Sequence, residues 1–301
     1  MSIDFGNLIS RSFEIAWKYK TLWIFGLFTG AGVNSFNIDL PDEFSQKVGR
    51  TFDLQDYSPW VDRLDLPSDL GGPLLGAIIV WLAVLILLFF VCYLIAQPAI
   101  IDAVNKITRG GQYRLGDSFS RGVDFFWRFL GLTLVSIMCV LAVLAVVVLL
   151  AVASLWTLIV TIPCAIIVYF FVWHIFALGE VAMVARDGRI ADAIAEGWDL
   201  VWRNKTNCLI MTFLLIGIAI AFMIIMAIVA LVAFLPVGLL VALLTGNLIA
   251  ILLLGLVIGL PVSMVVGGYT GTFFNALYVQ FYFRLYEPAA APIPAPTGPT
   301  L

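Results

Sequence analysis

Residues 114–128 read RLGDSFSRGVDFFWR, and residues 189–203 read RIADAIAEGWDLVWR. The two segments align without a gap and share Arg, Asp, Gly, Asp, Trp and Arg at matching positions. A looser copy, DFGNLISRSFEIAWK, lies at residues 4–18, and a long apolar run follows each copy. Internal repetition constrains the architecture of a chain before any single motif does. The three repeat segments therefore predict one structural unit that is used three times.

The composition indicates a membrane protein. Hydrophobic residues make up 62% of the 301 residues and charged residues only 12%, about half of the charged fraction of soluble domains. The mean hydropathy is +1.08. Several apolar runs of about 20 residues are long enough to cross a bilayer. We therefore predict an all-α integral membrane protein whose main partner is the lipid bilayer and which binds no nucleic acid.

Six apolar runs predict six transmembrane helices, at about 21–36, 73–101, 129–154, 158–184, 207–234 and 248–283. Each repeat is then an interfacial amphipathic helix followed by a transmembrane hairpin, and the repeats cover about 4–101, 114–186 and 189–284. Together they form one polytopic domain over residues 1–287. The Pro- and Ala-rich residues 288–301 predict a disordered tail.

The distribution of charge predicts the orientation of the chain. Three of the sixteen Lys and Arg residues lie in segment 37–72, and the other thirteen flank the repeat segments or the end of the sixth run. By the positive-inside rule, both termini face the cytoplasm and the acidic segment 37–72 forms an outer loop. The first run is short, but it must cross the membrane, because otherwise the basic segment 102–128 would lie outside. The Asp spacing of the loop does not fit a calcium-binding pattern, so we favour a solvated loop over a cation site.

Each repeat segment ends with an acidic residue, a Trp and a cation at fixed spacing. These residues are Glu14, Trp17 and Lys18; Asp124, Trp127 and Arg128; and Asp199, Trp202 and Arg203. An acid four positions before a cation can form a helical ion pair, and an indole suits the headgroup layer. Asn7, Asp117 and Asp192 are candidate N-caps. We interpret the segments as interfacial helices that orient the hairpins; the alternative is a docking surface for a cytoplasmic partner.

The sixth run contains a line of small residues at every fourth position: Gly255, Gly259, Ser263, Gly267 and Gly271. Small residues at this spacing let two helix backbones approach closely in a membrane. The pattern predicts a helix-packing seam inside the monomer. A homodimer seam and a contact to another subunit are the alternatives.

Three polar residues are predicted near mid-membrane: Gln97, His174 and Thr272. They lie twelve residues, or about 18 Å of helix, before the boundary residues Arg109, Arg186 and Arg284, respectively. Polar groups at that depth are costly unless they are paired, which makes them candidates for function. We predict that they form a polar cluster; alternatively, each is satisfied by a neighbour or by a backbone carbonyl group.

The sequence predicts no enzyme, cofactor or metal site. His174 is the only histidine, the four cysteines lack paired spacing, and no catalytic motif is present. Glu180 lies six residues before Arg186, so we expect an interfacial, solvated carboxylate. These features favour a non-enzymatic membrane subunit or scaffold that engages other chains or forms a homo-oligomer. A small-molecule or lipid transporter is the alternative.

Two short stretches carry a resemblance to known proteins: LISRSFEIAWK at 8–18 and LWIFG at 22–26. They resemble the start of a broad group of uncharacterised bacterial polytopic proteins, which is similar to the membrane domain fused to some glycerophosphodiester phosphodiesterases. The catalytic barrel of those phosphodiesterases has no counterpart in these residues, so no enzymatic residue carries over. The resemblance implies a multi-pass protein of the bacterial inner (plasma) membrane.

Overall fold

A computed structural model describes residues 3–30, 71–153, 158–245 and 248–286, and in these residues every regular element is a helix. Within these ranges, the structure describes eight α-helices: α1 (Phe5–Lys18), α2 (Trp23–Gly30), α3 (Gly71–Thr108), α4 (Leu115–Ala153), α5 (Leu158–Arg186), α6 (Ile190–Arg203), α7 (Lys205–Thr245) and α8 (Leu248–Tyr286). A short 3-10 turn, Lys20–Leu22, joins α1 to α2. The predicted acidic loop, apart from its last two residues, and the predicted tail lie outside the described residues.

Four of the described helices are long and apolar enough to cross a membrane. They are Val80–Thr108 in α3, Leu115–Val152 in α4, Ile159–Arg186 in α5 and Lys205–Ile228 in α7. The prediction of an all-α membrane protein is confirmed at this level. Of the first predicted span, the structure describes the eight-residue helix α2. The sixth predicted span is one continuous helix, α8, which is not among the four.

The three repeat segments differ in local structure. The first and third form the separate helices α1 and α6, as predicted. The second, residues 114–128, is instead the start of α4, which continues without interruption to Ala153. The prediction of a separate interfacial helix is therefore wrong for the second segment.

The residue that follows each segment explains this difference. After Arg203, the backbone N–H and the side-chain amide of Asn204 both donate to the carbonyl oxygen of Leu200 at 3.1 Å, which ends α6. After Arg128 comes Phe129, which is fully buried and apolar, so α4 continues.

The predicted N-caps are also wrong. The side chain of Asp4 caps α1 by accepting a hydrogen bond from the backbone N–H of Asn7 at 3.1 Å. Asp117 and Asp192 lie inside the first turns of α4 and α6. There the negative charge interacts favourably with the positive N-terminal end of the helix dipole. This interaction explains why an acid occurs at this position without being the cap.

The chain divides into two compact units. Helix α3 begins in the smaller unit, of which the structure describes residues 71–93, and the larger unit holds the other described helices. The buried core of the larger unit lies where the three repeat segments meet the C-terminal parts of α3, α5 and α8. We call this end of the larger unit the basic end, because most Lys and Arg residues are found there.

The ninth residue of each repeat segment packs against one of the long helices. A Cβ atom added at Gly122 would overlap a backbone carbonyl oxygen of α3, and one added at Gly197 would overlap a carbonyl oxygen of α5. In the first segment, the buried hydroxyl of Ser12 accepts a hydrogen bond from Gln280 of α8 at 2.9 Å. Each segment thus contacts a different helix, and a small residue permits each contact.

Candidate intramembrane polar site

The three polar residues predicted to cluster lie on three helices, and each has partners other than the remaining two. Thr272 donates to the carbonyl oxygen of Gly268 at 2.8 Å, within α8. His174 contacts α7, and Gln97 contacts different residues of α5 and α8. Equal distance from a boundary arginine predicts similar depth, but it does not fix which face of a helix a side chain occupies. Thr272 is therefore satisfied by a backbone carbonyl group, which was the alternative to the predicted polar cluster.

Gln97 is the centre of a polar cluster that joins four helices. Its side-chain nitrogen donates to Glu180 Oε2 of α5 at 3.1 Å and to Asn275 Oδ1 of α8 at 3.0 Å. The amide nitrogen of Asn275 donates to Thr29 Oγ1 of α2 at 3.2 Å. All four side chains are half-buried. We call Thr29, Gln97, Glu180 and Asn275 the Glu180 cluster.

Glu180 occupies a different environment from the one expected. It lies within a candidate membrane span, and its carboxylate accepts a hydrogen bond from Gln97 instead of facing solvent at the interface. Arg186, its nearest arginine in sequence, pairs with Glu196 at 3.2 Å. The expectation of a solvated carboxylate is corrected because α3 and α8 pack on the face of α5 that carries Glu180. A carboxylate within a membrane span is costly, and such residues usually serve a function.

His174 belongs to a second set of contacts. Its Nε2 atom lies 2.6 Å from Thr212 Oγ1, and the Thr212 hydroxyl donates to the carbonyl oxygen of Cys208 at 3.0 Å. Because that hydroxyl hydrogen is engaged, Thr212 accepts from His174, and the imidazole carries its proton on Nε2. Nδ1 lies 3.5 Å from the Tyr278 hydroxyl, which accepts from Trp173 at 2.8 Å. His174 is thus buried and satisfied by its neighbours.

Charged groups at the basic end connect the repeat segments to the long helices. Glu196 of α6 accepts from the hydroxyl of Tyr282 in α8 and pairs with Arg186 of α5. Asp187, which follows α5, has a left-handed backbone (φ 55°) and pairs with Arg128 and, at 3.8 Å, with Arg121. These contacts fix the basic end as one packed structure.

Two tyrosines join the first repeat segment to the start of α4. Tyr19 and Tyr113 pack edge to face, with ring centroids 6.4 Å apart. Burial raises the pKa of both phenols, and for Tyr19 the charge of Glu14 raises the pKa further. Both side chains therefore stay neutral at physiological pH.

The predicted interfacial residues are exposed, and the third of the expected ion pairs forms as written while the second does not. Asp199 and Arg203 pair at 2.7 Å, whereas Arg128 pairs with Asp187 instead of Asp124. Trp17, Trp127 and Trp202 are between 57% and 76% exposed, as an interfacial position requires. In the first and third segments, a stacked aromatic neighbour (Phe13 or Trp198) and a lysine (Lys20 or Lys205) lie against the tryptophan ring.

The close helix approach in α8 lies beside the predicted small-residue seam. A Cβ atom added at Gly268 would lie 2.6 Å from the carbonyl oxygen of Trp23 in α2, and one at Gly26 would overlap Gly268. At the predicted Gly267, an added Cβ would meet nothing within 4 Å. Of the other seam positions, Gly271 is buried, Gly259 is half-buried, Ser263 is exposed and the surroundings of Gly255 are not described.

Three features of the Glu180 cluster escaped the sequence prediction: the inward position of Glu180, and the presence of Asn275 and Thr29. One signal was available. Gln97 lies nine residues before Lys106, and Asn275 lies nine residues before Arg284, so both can lie about 14 Å inside the basic end. No spacing predicts the contact with Glu180, because it depends on how α3 and α5 are rotated about their axes.

The fold and this site define a class: an all-α membrane protein with a carboxylate-containing polar cluster between its helices. Residues 13–288 match the model of DUF7544, a family of unknown function, and the chain belongs to that family. Searches of curated proteins and of solved structures found no match. The resemblance to phosphodiesterase membrane domains therefore stays a prediction.

Proposed function

We propose that the protein is a non-enzymatic transporter and that the Glu180 cluster is its solute site. The observation that supports this proposal is the contact between Gln97 and Glu180, which holds a carboxylate between membrane helices. The sequence favoured a subunit or scaffold because no ionisable group was expected inside the spans. The inward position of Glu180 removes that reason. A half-buried polar cluster joined from four helices is suited to bind a small polar solute.

The proposal includes a membrane and an orientation. We place the chain in the bacterial inner membrane, with six transmembrane helices in three repeats and with the basic end and both termini in the cytoplasm. The distribution of Lys and Arg supports this orientation. The exposed tryptophans of the repeat segments then lie at the cytoplasmic headgroup layer.

Flux in reconstituted liposomes tests transport directly. Purified protein is exposed to concentration jumps of inorganic cations, amines, neutral amino acids and organic acids, and charge movement or tracer uptake is recorded. We expect saturable flux for one class, reduced at least about tenfold in Glu180→Gln. Glu196→Gln, the same chemical change outside the spans, is the control and should retain flux. Absence of saturable flux for every class, or equal flux in both variants, would overturn the proposal.

A membrane subunit or scaffold is the second candidate, and helix α4 favours it. After Leu132, no residue of α4 up to Val152 is buried and most are exposed, so a large part of the surface of this half of the helix is available to lipid or to another chain. Extraction of the tagged protein from its native membrane in mild detergent tests this candidate. A stoichiometric membrane partner that crosslinks to this half of α4 would support it; a protein that purifies alone would not.

A further inference from the structure

We propose that the Glu180 cluster binds a small monovalent cation, either an inorganic ion or an ammonium group. This inference rests on the proposed function and names the substrate class of that site. It follows from how the hydrogen-bond donors of the cluster are used, from its charge and from the ligand chemistry of its oxygen atoms.

The hydrogen-bond donors of the cluster are already used. Gln97 directs its amide hydrogens to Glu180 and Asn275. Asn275 directs its own to Thr29 and, at 2.9 Å, to the carbonyl oxygen of Gly271. The Thr29 hydroxyl donates to the carbonyl oxygen of Gly26 at 3.3 Å. A solute that needs donors, such as an anion, therefore finds none in these three side chains.

The orientation of the Gln97 amide is fixed by its neighbours. Its nitrogen lies between two oxygen acceptors, one of them on a carboxylate. The flipped amide would place oxygen against oxygen at both contacts, which is unfavourable. The amide of Asn275 is fixed in the same way, because its oxygen must accept from Gln97.

The negative charge of Glu180 is met by an amide and not by a cation. Two cations of the helices that hold the cluster are engaged elsewhere: Arg186 of α5 pairs with Glu196 at 3.2 Å, and Lys106 of α3 pairs with Asp102 at 2.6 Å. Among the described residues, Glu180 takes part in none of the ion pairs within 4.0 Å. An ionised carboxylate within a membrane is stabilised by a compensating positive charge.

Charge balance selects the valence of that ion. The cluster contains one carboxylate and three neutral side chains, so a monovalent cation neutralises it, whereas a divalent cation would leave a net positive charge within the membrane. Carboxylate, amide and hydroxyl oxygen atoms are ligands for hard cations and acceptors for ammonium hydrogens. An inorganic monovalent cation and an ammonium group can therefore bind the same oxygen atoms.

Thermal unfolding in neutral detergent tests the inference. The intrinsic tryptophan fluorescence of the purified full chain is followed at constant ionic strength. N-methylglucamine chloride is the baseline, and NaCl, KCl or methylammonium chloride replaces it stepwise. We expect at least one of these cations to raise the Tm saturably by about 2 °C or more, because a ligand that binds the folded state stabilises it. The identity of the active salt separates an inorganic ion from an ammonium group.

Variants connect the response to the cluster. The cation-dependent rise should be lost in Glu180→Gln and retained in Glu196→Gln. If Glu180→Gln does not fold, Glu180→Asp keeps the charge and shortens the side chain, and it should raise the half-saturating concentration at least about fivefold. Identical Tm values of the wild-type protein in all four salts, or an unchanged response in Glu180→Gln and Glu180→Asp, would overturn the inference.

The two proposals fail in different ways. If a neutral or anionic solute stabilises the protein and is carried in liposomes while the cations have no effect, the cation inference is wrong and transport stands. If cations stabilise the protein through Glu180 but no flux is found, the cation site is supported and transport is wrong.

Discussion

At the scale of single residues, Gln97 determines how a carboxylate can exist between membrane helices. Its two hydrogen bonds, to Glu180 at 3.1 Å and to Asn275 at 3.0 Å, connect α3 with α5 and α8. Hydrogen bonds to a charged acceptor contribute more to stability than hydrogen bonds between neutral groups. A buried acceptor that loses its donor costs its full desolvation penalty. Gln97 therefore acts both as a structural link and as the group that positions Glu180.

Replacement of Gln97 by Leu removes both donors and keeps a side chain of similar size. We expect the free energy of unfolding to fall by about 1–3 kcal/mol, because Glu180 and Asn275 lose a hydrogen-bond partner. Unfolding by SDS in mixed micelles measures this change. Gln112→Leu is the matched control, because Gln112 is exposed between α3 and α4, and it should change stability by less than about 0.5 kcal/mol.

A second background makes the Gln97 prediction specific. In Glu180→Gln the negative charge is absent, so Gln97→Leu should lower the free energy of unfolding less there than in the wild-type chain. Equal losses in both backgrounds, or equal losses for Gln97→Leu and Gln112→Leu, would show that the contact with Glu180 does not contribute.

Residue types predicted which positions make polar contacts better than they predicted the residues that those positions contact. Gln97 and His174 are unusual in apolar runs, and both are engaged in polar contacts. Their partners could not be predicted, because a contact such as Gln97 to Glu180 joins residues 83 positions apart. It depends on the rotation of two helices, which no local pattern encodes.

At the scale of helices, the repeat segments show what pattern matching can predict. The shared Gly122 and Gly197 both support a close helix contact, so the repeat predicted a common packing role. It did not predict whether the helix continues, because the shared residues end at the final cation. The next residue, Asn204 in one case and Phe129 in the other, decides whether the helix ends.

Adjacent glycines of α8 test where the helix actually packs. Gly268→Ala would place its Cβ 2.6 Å from a backbone oxygen of Trp23 and 3.0 Å from the Trp23 Cβ, so one helix must shift. We expect a loss of about 1–3 kcal/mol in the free energy of unfolding. Gly267→Ala meets nothing within 4 Å and should be neutral or stabilise α8 by up to about 1 kcal/mol.

The same pair of variants separates the alternatives for the predicted seam. A seam inside the monomer at Gly267 would reverse the order of the two effects on unfolding. If the seam instead joins two copies, Gly267→Ala should weaken the dimer, measured by light scattering in detergent, without lowering the stability of the monomer. Equal stability of Gly268→Ala and the wild-type protein would contradict the contact between α2 and α8.

At the scale of the whole molecule, contacts at the basic end constrain how the chain crosses the membrane. Tyr19, which follows α1, lies beside Tyr113, which precedes α4, with ring centroids 6.4 Å apart. The two residues therefore belong to the same side of the membrane. Helix α3, which ends just before Tyr113, is long enough to span. If α3 spans, an even number of crossings between Tyr19 and Tyr113 requires a second span, and we propose the predicted run at 21–36 for it.

Reporter fusions test this topology, which the charge distribution alone also predicts. Alkaline phosphatase is active only outside the cytoplasm, whereas green fluorescent protein folds when it stays inside. We expect fluorescence for fusions after residues 20, 111, 188 and 286, and phosphatase activity for fusions after residue 54. A fluorescent fusion at 54 would mean that the first run does not cross. The contact between Tyr19 and Tyr113 would then require α3 to return without spanning, and the proposed transporter would lose one wall of its site, because Gln97 lies on α3 and Thr29 on α2.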